Sequence, residues 1–247
     1  MKGFVNETAF MTQTRGEIRL RYYSSECEVA FCGHATIAVM HNFIKNSPDW
    51  ADLEEIPIRI NAGVISVLNR IREEDAVYIL APPPAFCLCS IDISEADRLV
   101  FGGNDQIDAN KPIHIIDAGL RTLILPAASP DACLESAPDF EQLRKFCIDN
   151  QIDIILIFNE AAVKENCTYR TRVFAPRFGY LEDPATGSGN AAFGYYLIKE
   201  GIMPESLVIE QSGNRENPNI IKLRRIRHQD GERIIFGGSS VLQIEGR

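Results

Sequence analysis

A chain of 247 residues with 34 acidic and 25 basic side chains carries a net charge of −9, which argues against a nucleic-acid or anionic-membrane surface, because phosphate binding needs concentrated Lys and Arg. Its hydrophobic content of 45% and charged content of 24% are those of a globular protein, and no run of about 18 apolar residues offers a membrane span. The length accommodates one large domain or two modest ones, each with its own core.

The opening, "MKGFVNETAF", has neither the basic and apolar regions of a secretory signal nor the Arg/Ser-rich character of a transit peptide, so a cytoplasmic protein is expected. Alternating apolar residues in "EIRLRYY" (17–23), "IPIRI" (56–60), "GVISVLNRI" (63–71) and "AVYILAPP" (76–83) predict half-buried strands. Between the first two, "HATIAVMHNFIKN" (34–46) is long and apolar enough for a buried helix. The polar, turn-rich stretch "FGGNDQIDANKP" (101–112) predicts a boundary near residue 108, giving domains 1–108 and 109–247.

The second part repeats the style. Strands are predicted at "IHIIDAG", "TLILPAA", "DIILIFN" and "YRTRVFAP", with a helix at "PDFEQLRKFCIDN" that has Pro138 near its start. An apolar helix, "NAAFGYYLIKEG", follows the acidic and glycine-broken "EDPATGSG", and the strands "SLVIEQS", "IIKLRRI" and "ERIIFGGSSVLQI" complete the chain. A helix apolar on every side must be surrounded, here by sheet. The one dense basic run, "KLRRIRH" (222–228), alternates as the solvated face of a strand does.

Seven cysteines, Cys27, Cys32, Cys87, Cys89, Cys133, Cys147 and Cys167, show no paired C-x-x-C spacing. No metal site is expected; free, mostly buried thiols in a reducing compartment fit better.

"EVAFCGHATIAVMHNFI" (28–44) and "LEDPATGSGNAAFGYYLI" (181–198) each run from an acidic residue through a glycine turn into an apolar helix. Aligning Gly33 with Gly187 gives an offset of 187 − 33 = 154 residues, which suggests duplicated domains. The free N–H groups at a helix start carry partial positive charge, so a turn of small residues there lets an anion come close. On the residues alone a plainer reading is equally available: Asp183 or Ser188 caps the helix, His34 caps its counterpart, and Cys32 is a buried structural thiol. "GSGNAA" also fits the loose dinucleotide fingerprint, but "LEDPAT" before it is no strand, and Glu182 with Asp183 would repel a pyrophosphate. A dinucleotide site is therefore not expected.

The segments "NETAF" (6–10), "EVAFCGHATIA" (28–38), "EDPATGSGNAA" (182–192), "EQSG" (210–213) and "FGGSSVLQIEG" (236–246) occur in this order over nearly the whole chain. Together they resemble the phenazine biosynthesis PhzF-like isomerase family, which shares the diaminopimelate epimerase fold. The resemblance implies an α/β (α+β) protein of two similar domains, each a curved, mostly antiparallel sheet wrapped around a central apolar helix, with the active site in the interdomain cleft. It also implies proton transfer on a small carboxylic acid without metal or organic cofactor, and a homodimer as the assembly to test. Family members open with a strand, a "GNP"-type turn and a helix before the "ETAF" element. This chain begins almost at that element, so several dozen residues of the family's first domain are expected to be missing.

Carried over by position, Glu7 falls on the family's catalytic carboxylate, a general base and then acid whose pKa burial would raise. His34 and Asp183 fall on polar residues that orient the substrate and polarise the group beside the reacting carbon. Backbone N–H groups of Gly33, Gly187 and Ser188, with Gly189 in the same turn, would hold the substrate carboxylate. Racemases of this architecture use two thiols, one in each glycine turn; here Cys32 stands in the first and Thr186 in the second, so a two-thiol mechanism is not supported. The alternatives are a catalytically silent small-acid-binding or remnant protein of the same fold, and a racemase or epimerase assisted by Cys32.

Overall fold

A computed structural model describes residues 8–14, 16–23, 28–88, 90–162 and 164–242. The chain divides into two compact units, Met1–Leu80 with Ile235–Arg247, and Ala81–Ile234. The polar stretch 101–112, from which a boundary near 108 is expected, lies inside the second unit. Its turn signals are real, with Gly102, Asn104 and Asp105 all at positive φ. The turn folds the chain back on its own unit, where Asp97 accepts from the Gln106 N–H at 2.9 Å and Ile107 bridges to Ala127.

The first unit runs β1 (Thr8–Thr14), β2 (Glu17–Tyr23), β3 (Glu28–Val29), α1 (Gly33–Lys45), α2 (Pro48–Ala51), β4 (Glu55–Ile60), β5 (Gly63–Arg70), α3 (Ile71–Glu74) and β6 (Ala76–Leu80). Burial alternates along β2 and β4, which puts Ile18, Leu20, Tyr22, Ile56, Ile58 and Ile60 on one core face. Helix α1 buries Ala35, Thr36, Met40, His41 and Ile44. The buried hydroxyls of Tyr22 and Thr36 pair at 2.6 Å, so neither is left unsatisfied. The ring of His41 receives the Ser240 N–H at Nδ1 (3.3 Å) and bonds the Asp75 carbonyl through Nε2 (3.0 Å). On the outer face of α1, Val39 and Phe43 line an open groove of about 430 Å³ with Met11 and Leu242.

The second unit runs β7 (Ala85–Cys87), α4 (Ile93–Phe101), β8 (His114–Asp117), β9 (Arg121–Pro126), α5 (Pro130–Glu135), α6 (Phe140–Asp149), β10 (Ile154–Asn159), β11 (Tyr169–Phe174), a 3₁₀ turn (Pro176–Phe178), β12 (Glu182–Asp183), α7 (Gly187–Lys199), β13 (Ser206–Gln211) and β14 (Asn219–His228). Strand β15 (Gly231–Gly238) begins in this unit and ends in the first. Every residue of α7 from Gly189 to Leu197 is buried, as a helix apolar on all sides requires. Phe193 packs against Phe158, Tyr169 and Tyr196 with ring centroids 4.7, 5.1 and 5.8 Å away. Burying each such ring is worth roughly 1.5–3 kcal/mol. The basic run of β14 turns Leu223 inward and leaves Lys222 and Arg227 exposed.

One arrangement occurs twice. In each unit two antiparallel strands (β1·β2; β10·β11) lead to a two-residue strand on the second of them (β3; β12), then to a thirteen-residue helix (α1; α7). A strand parallel to that second strand follows, with an antiparallel neighbour (β4·β5; β13·β14). The offset of 154 read from the glycine turns maps the short strands and the helices onto one another residue for residue. This is the mixed α/β, mostly antiparallel architecture that the family resemblance implies.

Gly237 sits where β15 meets Tyr78 of β6. A Cβ there would lie 2.0 Å from the Val77 carbonyl oxygen and 2.7 Å from the Tyr78 Cα, both backbone atoms that cannot step aside. The Gly237→Ala variant is therefore expected to lose about 3 kcal/mol, the upper end of overpacking costs, in urea unfolding; a loss below about 1 kcal/mol would contradict this packing.

Candidate active site

The turn into α1 begins with Glu28. Arg21, two residues before the register partner of Glu28 in β2, grips its carboxylate with both arms at 2.7 and 2.8 Å, and Asn61 adds a bond of 2.7 Å. The Arg21 guanidinium, with Asn61, holds the Glu28 carboxyl well below the usual carboxylate range, at about 2. Cys32 follows in extended conformation at the N-cap, buried, with no side-chain bond to the helix. Its carbonyl accepts from the Thr36 N–H at 3.0 Å and the Thr36 hydroxyl at 2.7 Å. The exposed ring of His34 lies over the thiol, with Nε2 3.5 Å and Nδ1 3.7 Å from Sγ.

The turn into α7 is built the same way. Arg172, again two residues before the register partner of the acid, grips Glu182 with both arms at 2.9 and 2.8 Å. The Asp183 carboxylate accepts from the Ala185 N–H at 3.1 Å, closing a small turn. Thr186 is the N-cap, in extended conformation, and its side chain does not cap the helix. Its carbonyl accepts from the Asn190 N–H at 3.2 Å and the Asn190 side chain at 2.8 Å, as the Cys32 carbonyl does from Thr36.

These two helix starts differ from the other helices of six or more residues. In α4, α5 and α6 the N-caps Asp92, Ser129 and Asp139 each accept from first-turn N–H groups. None of Gly33, Gly187 and Gly189 adopts positive φ, so the turns do not need glycine for backbone shape. Close packing explains two of them: a Cβ on Gly33 would stand 3.1 Å from the Phe236 ring, and one on Gly189 3.1 Å from Ile154 and 3.2 Å from the Thr186 methyl.

Beneath the second turn lies a buried polar layer. Arg170 and Glu210, both with no exposed surface, pair at 2.5 Å. Arg170 also holds the carbonyls of Ser212 and Asn214 at 3.0 Å each, and Glu210 accepts the Lys164 N–H. Arg172 reaches the carbonyls of Cys133, Leu134 and Ser136 with its remaining nitrogen. Gly213 rests on that guanidinium, where a Cβ would come within 3.1 Å of Cζ. Gln211, wholly buried, ties Asp183, Thr186 and Asn190 together. Among the described residues no three His, Cys, Asp or Glu side chains gather as metal ligands would.

The model of the phenazine biosynthesis-like family, PhzC-PhzF, matches residues 4–246. The chain belongs to this family. A protein of Deinococcus radiodurans named as an uncharacterized isomerase is 28% identical, over 97% of this chain and 80% of that protein. Two solved structures share the fold: a Bacillus anthracis PhzF-family protein (TM-score 0.81, 20% identity, 95% of this chain and 81% of that one) and a hydroxyproline epimerase from Agrobacterium vitis (TM-score 0.61, 12% identity, 94% and 71%). The protein is thus an isomerase of the phenazine biosynthesis-like family.

Of the residues expected to carry the chemistry of this family, the structure brings Cys32, Gly33 and His34 together at the start of α1 and Asp183, Gly187, Ser188 and Gly189 together at the start of α7. Glu7 lies outside the described residues. The plain capping reading fails for Asp183, whose carboxylate serves Ala185 instead of the helix. Sequence reasoning passed over Arg21, Arg172, Thr36, Asn190 and Gln211. For Arg172 the local signal is the pair of arginines in "YRTRVF", a strand otherwise fit for a core, where a buried arginine must have a carboxylate or carbonyls to meet.

No helix of the described residues is long and apolar enough to cross a membrane. Five cysteines, Cys32, Cys87, Cys133, Cys147 and Cys167, are free; Cys27 and Cys89 lie outside the described residues. Burial pushes the thiols of Cys133 and Cys147 up to about 12, which makes both poor nucleophiles.

Because its folded pKa is lowered, the Glu28 carboxylate stabilises the fold above the ordinary carboxylate range, and that contribution is lost as pH falls towards about 2. Carboxyl ¹³C titration should show Glu28 among the lowest carboxylate midpoints in the chain, and Arg21→Ala should move that midpoint up towards the ordinary value. An unchanged midpoint in the variant would break the assignment of the clamp.

Proposed function

We propose that this isomerase moves a proton on a small carboxylic acid without a cofactor. Glu7 takes the proton from a carbon activated by its neighbouring group and returns it elsewhere, acting as base and then acid, a role worth about 10²–10⁴ in rate. His34 and Asp183 orient the substrate and polarise the group beside that carbon. The amide N–H groups of Gly187, Ser188 and Gly189 receive the carboxylate, helped by the positive end of α7, and Gly33 offers the corresponding amide in its own unit at the start of α1. Within this reading the enzyme works in the cytoplasm and as a homodimer.

The observation that carries the proposal is the pair of central helices that forgo the side-chain cap used by α4, α5 and α6. A missing cap costs about 1 kcal/mol, and it leaves first-turn N–H groups for a ligand. The Arg21 and Arg172 clamps answer the acidic entrance: Glu28 and Glu182 are already neutralised by bidentate partners and do not repel an incoming anion.

The contact of Cys32 Sγ with the His34 ring favours a second reading, in which the thiol passes a proton to or from the substrate with the imidazole as its relay. Solvent-deuterium wash-in on a pool of small unsaturated and amino-substituted carboxylic acids separates the two. Under the leading proposal the wild type labels an acid, Glu7→Gln loses at least 10²-fold and Cys32→Ala retains activity. A dead Cys32→Ala beside an active Glu7→Gln would transfer the chemistry to the thiol. No label from any acid, with a small acid still raising the melting temperature, would leave a binding protein without turnover.

A further inference from the structure

Gln211 ends β13 with no exposed surface, and all four of its amide valences are used. Its oxygen accepts the Thr186 N–H at 2.9 Å and the Asn190 side-chain amide at 2.7 Å, while its nitrogen donates to the Asp183 carbonyl at 2.6 Å and the Thr186 hydroxyl at 3.2 Å. The amide cannot be turned over, because one end faces a backbone N–H and the other a backbone carbonyl. Asn190 is equally committed, donating to the Thr186 carbonyl and accepting from Thr171 at 3.1 Å. Such a buried network is stable only when every member is satisfied, and this one is.

The consequence falls on Thr186. A threonine at an N-cap ordinarily turns its hydroxyl to the N–H groups two and three residues on, here Ser188 and Gly189. Thr186 does the reverse: its methyl stands against Gly189, 3.2 Å from where a Cβ would be, and its hydroxyl points to Gln211. One side chain thus fixes the Asp183 carbonyl, fixes the backbone at the helix entrance and draws away the group that would cap the helix.

We propose that Gln211 is a positioning residue of the reaction, which sets Asp183 and the Gly187–Gly189 turn as one body and keeps the first-turn N–H groups of α7 open by holding the Thr186 hydroxyl. This rests on the reading of that turn as the carboxylate seat. Without Gln211 the hydroxyl is free to rotate onto Gly189, and a substrate must then displace a cap.

The test follows the ¹⁵N–¹H signals of Gly187, Ser188 and Gly189 during titration with acetate, in wild type, Gln211→Met, Thr186→Val and the double variant. Acetate is expected to shift these signals in wild type and in Thr186→Val alike. Gln211→Met should bind about fivefold more weakly, the equivalent of one cap of about 1 kcal/mol. The double variant, with no hydroxyl to swing in, should recover to within about twofold of Thr186→Val. A purely structural Gln211 predicts no recovery, and that result, or unweakened binding in Gln211→Met, overturns the proposal. Hydrogen exchange in the wild type gives a check that needs no variant: the Gly189 N–H should exchange faster than that of Glu95, whose cap Asp92 is in place. Protection of Gly189 equal to Glu95 would also overturn it. If acetate moves none of the three amides in the wild type, the seat itself is wrong and the role of Gln211 falls with it, whereas wild-type shifts without the rescue pattern refute Gln211 alone.

Discussion

The structure depends on a carboxylate held in both arms of an arginine just before each central helix. Glu28 with Arg21 and Glu182 with Arg172 pin a two-residue strand to its neighbour, and everything that follows inherits that position: the extended N-cap, the turn of small residues, and the axis of the helix. The two pairs are not equivalent in energy. Arg21 is about half exposed, so its pair adds modestly at best, whereas Arg172 is nearly buried and carries three backbone carbonyls besides its glutamate. The second unit is therefore the more tightly framed of the two at its helix entrance.

That framing makes an unusual helix start affordable in structural terms. The other helices of six or more residues, α4, α5 and α6, place a Ser or Asp on their first N–H groups. The two central ones instead satisfy the carbonyl of the N-cap residue, from Thr36 or Asn190 at the fifth position, and leave the N–H side without a side-chain cap. The same stabilisation is forgone twice, 154 residues apart. The buried layer of Arg170, Glu210 and Gln211 supplies rigidity where the cap does not.

Much of this was legible in the sequence. Strict alternation in "EIRLRYY" and "IPIRI" marked β2 and β4, and the glycine turns marked both central helices and their offset. The uncharged strand Thr8–Thr14 and the helices at Ile93–Phe101 and Pro130–Glu135 were not anticipated, although Ile93–Phe101 is amphipathic and carries its Asp92 cap in the sequence. The turn at 101–112 was visible as a turn, but whether a turn ends a domain depends on what the chain packs against next. The site was legible as motifs and not as mechanism: "EQSG" stood out, yet the partners of Glu210 and Gln211 lie 40 and 25 residues away. Local patterns carry no record of such pairings.

The decisive quantity is where a carboxylate binds. A crystal structure of the protein with a small acid that exchanges deuterium under its catalysis should show the carboxylate oxygens about 3 Å from the amide nitrogens of Gly187 and Ser188, with the Thr186 hydroxyl still on Gln211. A carboxylate gripped elsewhere by side chains, with the Thr186 hydroxyl turned onto Ser188 or Gly189, would contradict this placement.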